Sequence, residues 1–217
     1  MNGSIIAVVG EKGGTGKSTL AQNLGVYFLL KNKDVVLVDT DIPQRTTGDW
    51  ADTRNENASL KTINIVEKTG NILHTLKDLS NRYAIVIVDC GGHDNEATRS
   101  AAAMSTLALF PFRPKRRDLK TLAKMERLVH EAKITNPHLI VRSIITQGPS
   151  LPTQESRITE AKAVCHSFGI PPIKAVTFHR NAYDDCEESG MTVLEYSDKK
   201  AKHEMHTIGQ EIEGLLK

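Results

Sequence analysis

Cysteine is scarce and scattered. Cys90, Cys165 and Cys186 are the only three in 217 residues, and no two form a C-x-x-C pair. That spacing offers neither a disulfide framework nor a zinc site, and it suits a reducing compartment. The eight histidines likewise show no metal-ligand spacing. No run of 18 apolar residues occurs, and the N-terminus enters a strand pattern at once, without a charged leader or a cleavage site. The expectation is a soluble, cytoplasmic chain with no membrane contact. Charge of one sign is also lacking: 28 Lys+Arg against 26 Asp+Glu leave +2 with His neutral. An overall polycation is excluded, so any contact with nucleic acid must come from a local patch. Repeats, low-complexity tracts and linkers are absent too, and residues 1–217 read as one domain. The strand pattern starts so early that no N-terminal helix-turn-helix domain is expected, which counts against operator-specific repression.

What the chain does have is rhythm. Apolar runs at 5–9, 35–38, 62–66, 84–88, 107–110, 139–146 and 173–177 are bounded by polar or turn residues. Continuous rather than alternating runs are the pattern of strands covered on both faces. Between them apolar residues recur at helical spacing: Leu20, Leu24 and Phe28; Leu122, Met125, Val129 and Ala132; Ala201, Met205, Ile208, Ile212 and Leu215. Strand–helix alternation of this kind predicts an α/β fold, a doubly wound, mostly parallel sheet with helices on both faces.

The first strand runs into Gly10-Glu11-Lys12-Gly13-Gly14-Thr15-Gly16-Lys17-Ser18-Thr19, and a helical pattern follows. A turn that wraps phosphate oxygens with its own N–H groups needs glycines, and the helix start beyond it adds free donors and a favourable dipole. Lys17 is expected on the terminal phosphates and the Ser18 hydroxyl on Mg²⁺. The ordinary P-loop has Gly where Glu11 stands. What is met instead is a variant with a second lysine, Lys12, ahead of Gly-Gly-x-Gly-Lys-Ser.

With that motif the sequence resembles the ParA/MinD family of deviant Walker-A ATPases, most closely the short ParA-type plasmid partition ATPases, over the whole chain. The resemblance implies that Lys12 reaches across a dimer interface to the partner's nucleotide. A cation supplied in trans stabilises transition-state charge only once two subunits have closed. Glu11 is expected to point away from the phosphates. Asp39 and Asp41 end one strand and Asp89 another, where open α/β sheets bind ligands. By resemblance Asp89 and Asp39 serve Mg²⁺, and Asp41 positions the attacking water. The family reads Asp-x-Asp-Pro-Gln, whereas here Ile42 intervenes before Pro43 and Gln44. Gly13, Gly14, Thr15, Gly16, Lys17, Ser18 and Thr19 make up the phosphate site. The segments around Pro114 and around Arg180 resemble the two flanks of the adenine.

Cations cluster at Lys115, Arg116, Arg117, Lys120, Lys124 and Arg127, and again at Lys199, Lys200 and Lys202. Two copies brought together in an ATP-bound dimer offer enough phosphate contacts for sequence-independent DNA binding. The functional expectation is therefore DNA segregation: an ATP- and Mg²⁺-dependent homodimer on nucleoid DNA, released when a small centromere-binding or adaptor protein stimulates hydrolysis. The alternatives are a MinD-like regulator at a membrane, a metabolic P-loop enzyme, or positioning of another cargo such as a conjugation complex. The mildly acidic end of the chain, Gln210 to Lys217, lacks the basic amphipathic character of a membrane tail. Trp50 reads as a packing residue.

Overall fold

The computed structural model describes residues 3–92 and 95–217. All seven expected strands are present: β1 (Ser4–Val8), β2 (Val35–Asp39), β3 (Asn64–Glu67), β4 (Ile85–Asp89), β5 (Leu107–Phe112), β6 (Ile140–Gly148) and β7 (Pro172–Phe178). They form one sheet in the order β3-β2-β4-β1-β5-β6-β7, and every pairing is parallel. The chain winds outward from β1 in both directions, so the end of β1 sits at the topological switch point.

Nine α-helices occur among the described residues, seven between strands and two after β7: α1 (Lys17–Leu30), α2 (Thr46–Glu56), α3 (Leu73–Arg82), α4 (Glu96–Met104), α5 (Arg116–Leu119), α6 (Leu122–Thr135), α7 (Glu155–Ser167), α8 (Ala182–Glu187) and α9 (Lys199–Leu215). Side chains of one strand alternate between faces, so Ile5 and Ala7 join the core under α3, α4, α6 and α7. Ile6 and Val8 join the opposite core, under α1, α2, α8 and α9. Helix α1 is buried almost all round, and even Gln22 and Asn23 are 1% exposed. Asn23 meets its polar needs by donating to the Thr19 carbonyl and accepting from the Val193 N–H. Trp50 is a packing residue, 4% exposed, with its indole N–H on the Met191 carbonyl.

One strand is longer than its apolar run suggests. β5 continues through Pro111 to Phe112, pairing with Ile144 and Ile145 of β6. Proline is disfavoured in a central strand because it cannot donate to the ladder. Here the Leu109 carbonyl, two residues earlier, accepts from Val9 on the β1 side. The nitrogen of Pro111 faces that same side, where β1 has already turned away, so no ladder bond is lost.

Both sheet edges are closed off. β3 is four residues long with its outer positions exposed. On β7, the N–H groups of Lys174 and Ala175 donate to the two carboxylate oxygens of Glu211 from α9.

Helix α9 lies so close to α1 that a Cβ on Gly209 would stand 2.4 Å from the Tyr27 ring. Gly209→Ala sets two effects against each other. Helix propensity favours alanine by about 1 kcal/mol, while forcing a methyl into a filled core costs about 1–3 kcal/mol. Tyr27 is 3% exposed and its hydroxyl is tied to Glu213, so the ring cannot easily swing aside. The variant is expected to unfold at lower urea than the parent chain. A higher midpoint would show that the ring yields.

Candidate nucleotide-binding site

Register decides where the site lies. Val8 pairs with Asp89 and Asp39 pairs with Asp89, so the ends of β1, β4 and β2 stand level. β1 then leaves into the glycine-rich loop, where Gly14 (φ 71°) and Gly16 (φ 83°) take left-handed conformations that side chains rarely adopt. Gly16 is the N-cap of α1. The end of β6 grips the loop from outside: the Thr146 hydroxyl donates to the Thr15 carbonyl (2.7 Å) and the Gln147 amide to the Gly14 carbonyl (3.1 Å). Lys17 is 8% exposed, and its ammonium donates to the Lys12 carbonyl at 3.1 Å. Ser18 follows it at the first turn of α1, and the hydroxyl of Thr19 donates to Glu187.

The two strand-end carboxylates are both buried but differently satisfied. Asp39 accepts three backbone N–H groups, from Asp41 on one oxygen and from Thr47 and Gly48 on the other. It thereby fixes the turn into α2. Asp89 accepts from the Thr47 hydroxyl at 2.7 Å through one oxygen, while its Oδ1 is buried with no partner. Burial pushes the Asp89 carboxyl up to about 6, against the opposing hydrogen bonds of Thr47 and Ser18. A buried, orphaned carboxylate oxygen beside a serine hydroxyl fits a divalent cation, because an oxygen-seeking ion supplies the missing partner. Asp41 is half-buried against Gly91, and its side chain has no hydrogen bond among the described residues. Ile42 is accommodated by a turn in which Gln44 and Arg45 donate to the Asp41 carbonyl. Arg45 takes a left-handed conformation (φ 45°) and is held by Asp49, Asp52 and Glu67.

Lys12 lies outside this ring of groups. Its ammonium pairs with Asp118 at 2.8 Å, and Arg113 holds the other oxygen of the same carboxylate. Burial alone would raise the Asp118 carboxyl, but the hydrogen-bonded Arg113 and Lys12 cations outweigh it and hold it below the usual range. Glu11 is turned away from the loop interior, as expected, and pairs with Lys124 of α6.

Arg180 lines a hollow of about 560 Å³ with Thr19, Leu20, Gln147 and Tyr183, next to the phosphate loop. Its guanidinium is anchored to Glu204 at 2.7 Å. Pro114 is not part of that hollow; it lines an adjoining one that shares Gln147 and His179. Sequence reasoning missed four contributors: Thr47, Asp118, Thr146 and Gln147. Asp118 carried a signal, as the one acid closing a run of cations; the other three are ordinary polar residues until the fold brings them in. Of the basic residues, Lys115, Arg116, Lys120, Lys199, Lys200 and Lys202 are exposed and have no ion pair among the described residues, whereas Arg127 pairs with Glu131. No metal-binding cluster of His, Cys, Asp or Glu occurs among the described residues.

A doubly wound sheet with a glycine-rich loop at its switch point defines a P-loop nucleotide-binding protein. More narrowly, residues 6–189 match the family model described as the CobQ/CobB/MinD/ParA nucleotide binding domain, and the chain belongs to that family. It is 28% identical over 179 residues to Protein ParA of Rhizobium radiobacter, covering 82% of this chain and 80% of that one. It is 26% identical over 201 residues to the maintenance of carboxysome distribution protein A of Gloeobacter kilaueensis, covering 91% and 87%. Its fold is similar to that of the septum site-determining protein MinD of Pyrococcus horikoshii complexed with Mg-ADP, with a TM-score of 0.73 at 19% identity over 98% of this chain and 96% of that one.

The Asp89 carboxyl gives a pH test. Its folded pKa of about 6 lies above the ordinary value of 3.8, so the folded chain holds this proton more tightly than the unfolded one. The resulting stability is complete below the unfolded pKa and is lost as pH rises through the folded one. Asp89→Asn removes that titration. Without divalent cation the variant should exceed wild type at pH above about 7, by on the order of 3 kcal/mol at most, with the gap closing toward pH 4. Chemical denaturation at both pH values measures this. A variant less stable at high pH would mean that the hydrogen bond to Thr47 outweighs the cost of the buried charge.

Proposed function

We propose that this chain is an ATP-dependent DNA partition ATPase. ATP and Mg²⁺ bind at the loop, two subunits close over the nucleotides, and the dimer holds DNA without sequence preference. A small centromere-binding or adaptor protein then stimulates slow hydrolysis and release. The observation that carries this reading is the division of labour between two lysines. Lys17 donates inside the loop, while Lys12 is held outside it by Asp118. A second cation stationed outside its own loop suits delivery to the nucleotide of a partner.

When bound, the cation neutralises charge on the terminal phosphates, and Ser18 and Asp89 would hold it. Lys17 orients those phosphates. Asp41 holds the attacking water, and its carboxylate, beside Gly91 and without a hydrogen bond among the described residues, supports that role. Asp39 keeps the turn between Asp41 and α2 in place through its three backbone bonds. Thr146 and Gln147 keep the loop in its open, donor-presenting form, and Arg180 flanks the base.

A second reading keeps the switch and changes the cargo. The likeness to the carboxysome distribution protein favours positioning of a large body by the same cycle. A membrane role has less support, because Ile208 and Ile212 of α9 are fully buried and no described helix is long and apolar enough to cross a bilayer.

Wild type should sediment as a dimer with ATP and Mg²⁺ and as a monomer with ADP, and it should bind an unrelated duplex only in the dimeric state. Lys17→Ala should lose nucleotide binding, a deletion of about 2–4 kcal/mol by comparison with other electrostatic contacts. Lys12→Ala should bind ATP in calorimetry yet neither dimerise nor hydrolyse it. A Lys12→Ala protein that dimerises like wild type refutes the in-trans role. Dimers that ignore DNA would favour the cargo or membrane readings.

A further inference from the structure

The segment that follows β5 carries both signs of charge in sequence but only one on its surface. Asp118, its acid, is 1% exposed and clasped from inside by Lys12 and Arg113. Lys115, Arg116, Arg117 and Lys120 all point out, and none has an ion pair among the described residues. Helix α7 faces this segment. Between them runs an open groove, floored by Leu119, Ala161 and Val164. Its cationic walls are Lys115, Arg116 and Lys120 on one side and Arg157 of α7 on the other, with Glu160 as the acid within it. Arg157 is exposed as well, has no ion pair among the described residues, and stands 37 residues beyond Lys120 in the chain.

The other basic surfaces are weaker. Lys124 is paired to Glu11 and Arg127 to Glu131, so the outer line of α6 is largely neutralised. Lys199, Lys200 and Lys202 form a convex helix start, and Asp198 caps it by accepting from the Lys200 and Ala201 N–H groups.

We infer that the cleft between α5 and α7, with Arg157 as a contact that sequence spacing did not disclose, is where this chain takes the phosphate backbone of duplex DNA. The assignment rests on the DNA-binding reading given above. Four cations against one carboxylate give a surface complementary to a regular line of phosphates. Each phosphate neutralised adds about 0.9 to the salt slope, whatever the base sequence. The cleft also adjoins the nucleotide site, since Pro114, Lys115 and Arg157 border the hollow closed by Gln147 and His179. A change in how Lys12 holds Asp118 therefore acts on the backbone that carries three of the four cations.

The test is fluorescence anisotropy on an unrelated duplex with ATP and Mg²⁺, across a salt series. The comparison is between wild type, Lys120→Ala/Arg157→Ala, and Lys199→Ala/Lys200→Ala/Lys202→Ala. The cleft variant is expected to lose about 2 from the slope of log affinity against log salt for each subunit in contact, and at least about tenfold in affinity at low salt. It should keep ATP binding and the ATP-dependent dimer. Lys120→Arg/Arg157→Lys, which preserves the charge, should restore binding. If the cleft variant keeps the wild-type slope while the triple variant loses it, DNA lies on α9 and the cleft assignment falls alone. If wild type binds no duplex in any nucleotide state, the DNA-binding reading falls and the cleft assignment with it. An acidic polypeptide that binds wild type in place of DNA, and loses binding in the cleft variant, would assign the cleft to a protein partner instead.

Discussion

Two carboxylates buried side by side, at the ends of adjacent parallel strands, constrain everything around them. An unpaired charge in a protein interior is very costly, so each must be either satisfied or neutralised. Asp39 is satisfied by the backbone, and its three N–H partners fold the chain after β2 into the start of α2. Asp89 is satisfied by half: Thr47, delivered by that same turn, serves one oxygen and leaves the other bare. The first carboxylate thus builds the support for the second. The remaining oxygen has a raised affinity for protons, and in the same measure a site for a cation.

Much of this was legible in the sequence because it depends on local pattern. Apolar runs found the seven strands, since strands covered on both faces have no polar side to disguise them. The glycines and lysines of residues 10–19 specify a phosphate loop because few backbones can form one. What stayed hidden depends on contacts between distant segments. Lys12 looks like any loop lysine until Asp118, 106 residues away, is seen to hold it. Lys124 and Arg127 look like members of a basic line, yet carboxylates from the phosphate loop and from the same helix occupy them. Pro111 ended the expected strand at Phe110, because the rule against proline in a ladder presumes a neighbour on both sides. Arg157 lay outside every cluster because charge was read along the chain, and a cleft is assembled across it.

The same residues divide the molecule into a well-satisfied centre and a freer surface. The phosphate loop, Asp39, Asp89 and the sheet beneath them form one centre, in which backbone bonds pin Asp39 and the Thr47 hydroxyl holds Asp89. Variation is tolerated outside it, on α5, α7 and α9, where exposed side chains bear little of the folding energy.

The carboxylate of Glu211 across the outer strand bears on crowding. Proteins that gather at high local density on a shared scaffold bring their sheet edges into repeated encounter, and an open edge is a template for strand-to-strand growth. With the Lys174 and Ala175 amides of β7 held by Glu211, the Phe178 amide held by Glu204, and β3 cut short, the ends of this sheet offer a poor seam for an incoming strand. Any ordered array of these molecules must then be built through side-chain faces, which can be undone by a change of charge, and not through backbone ladders, which cannot.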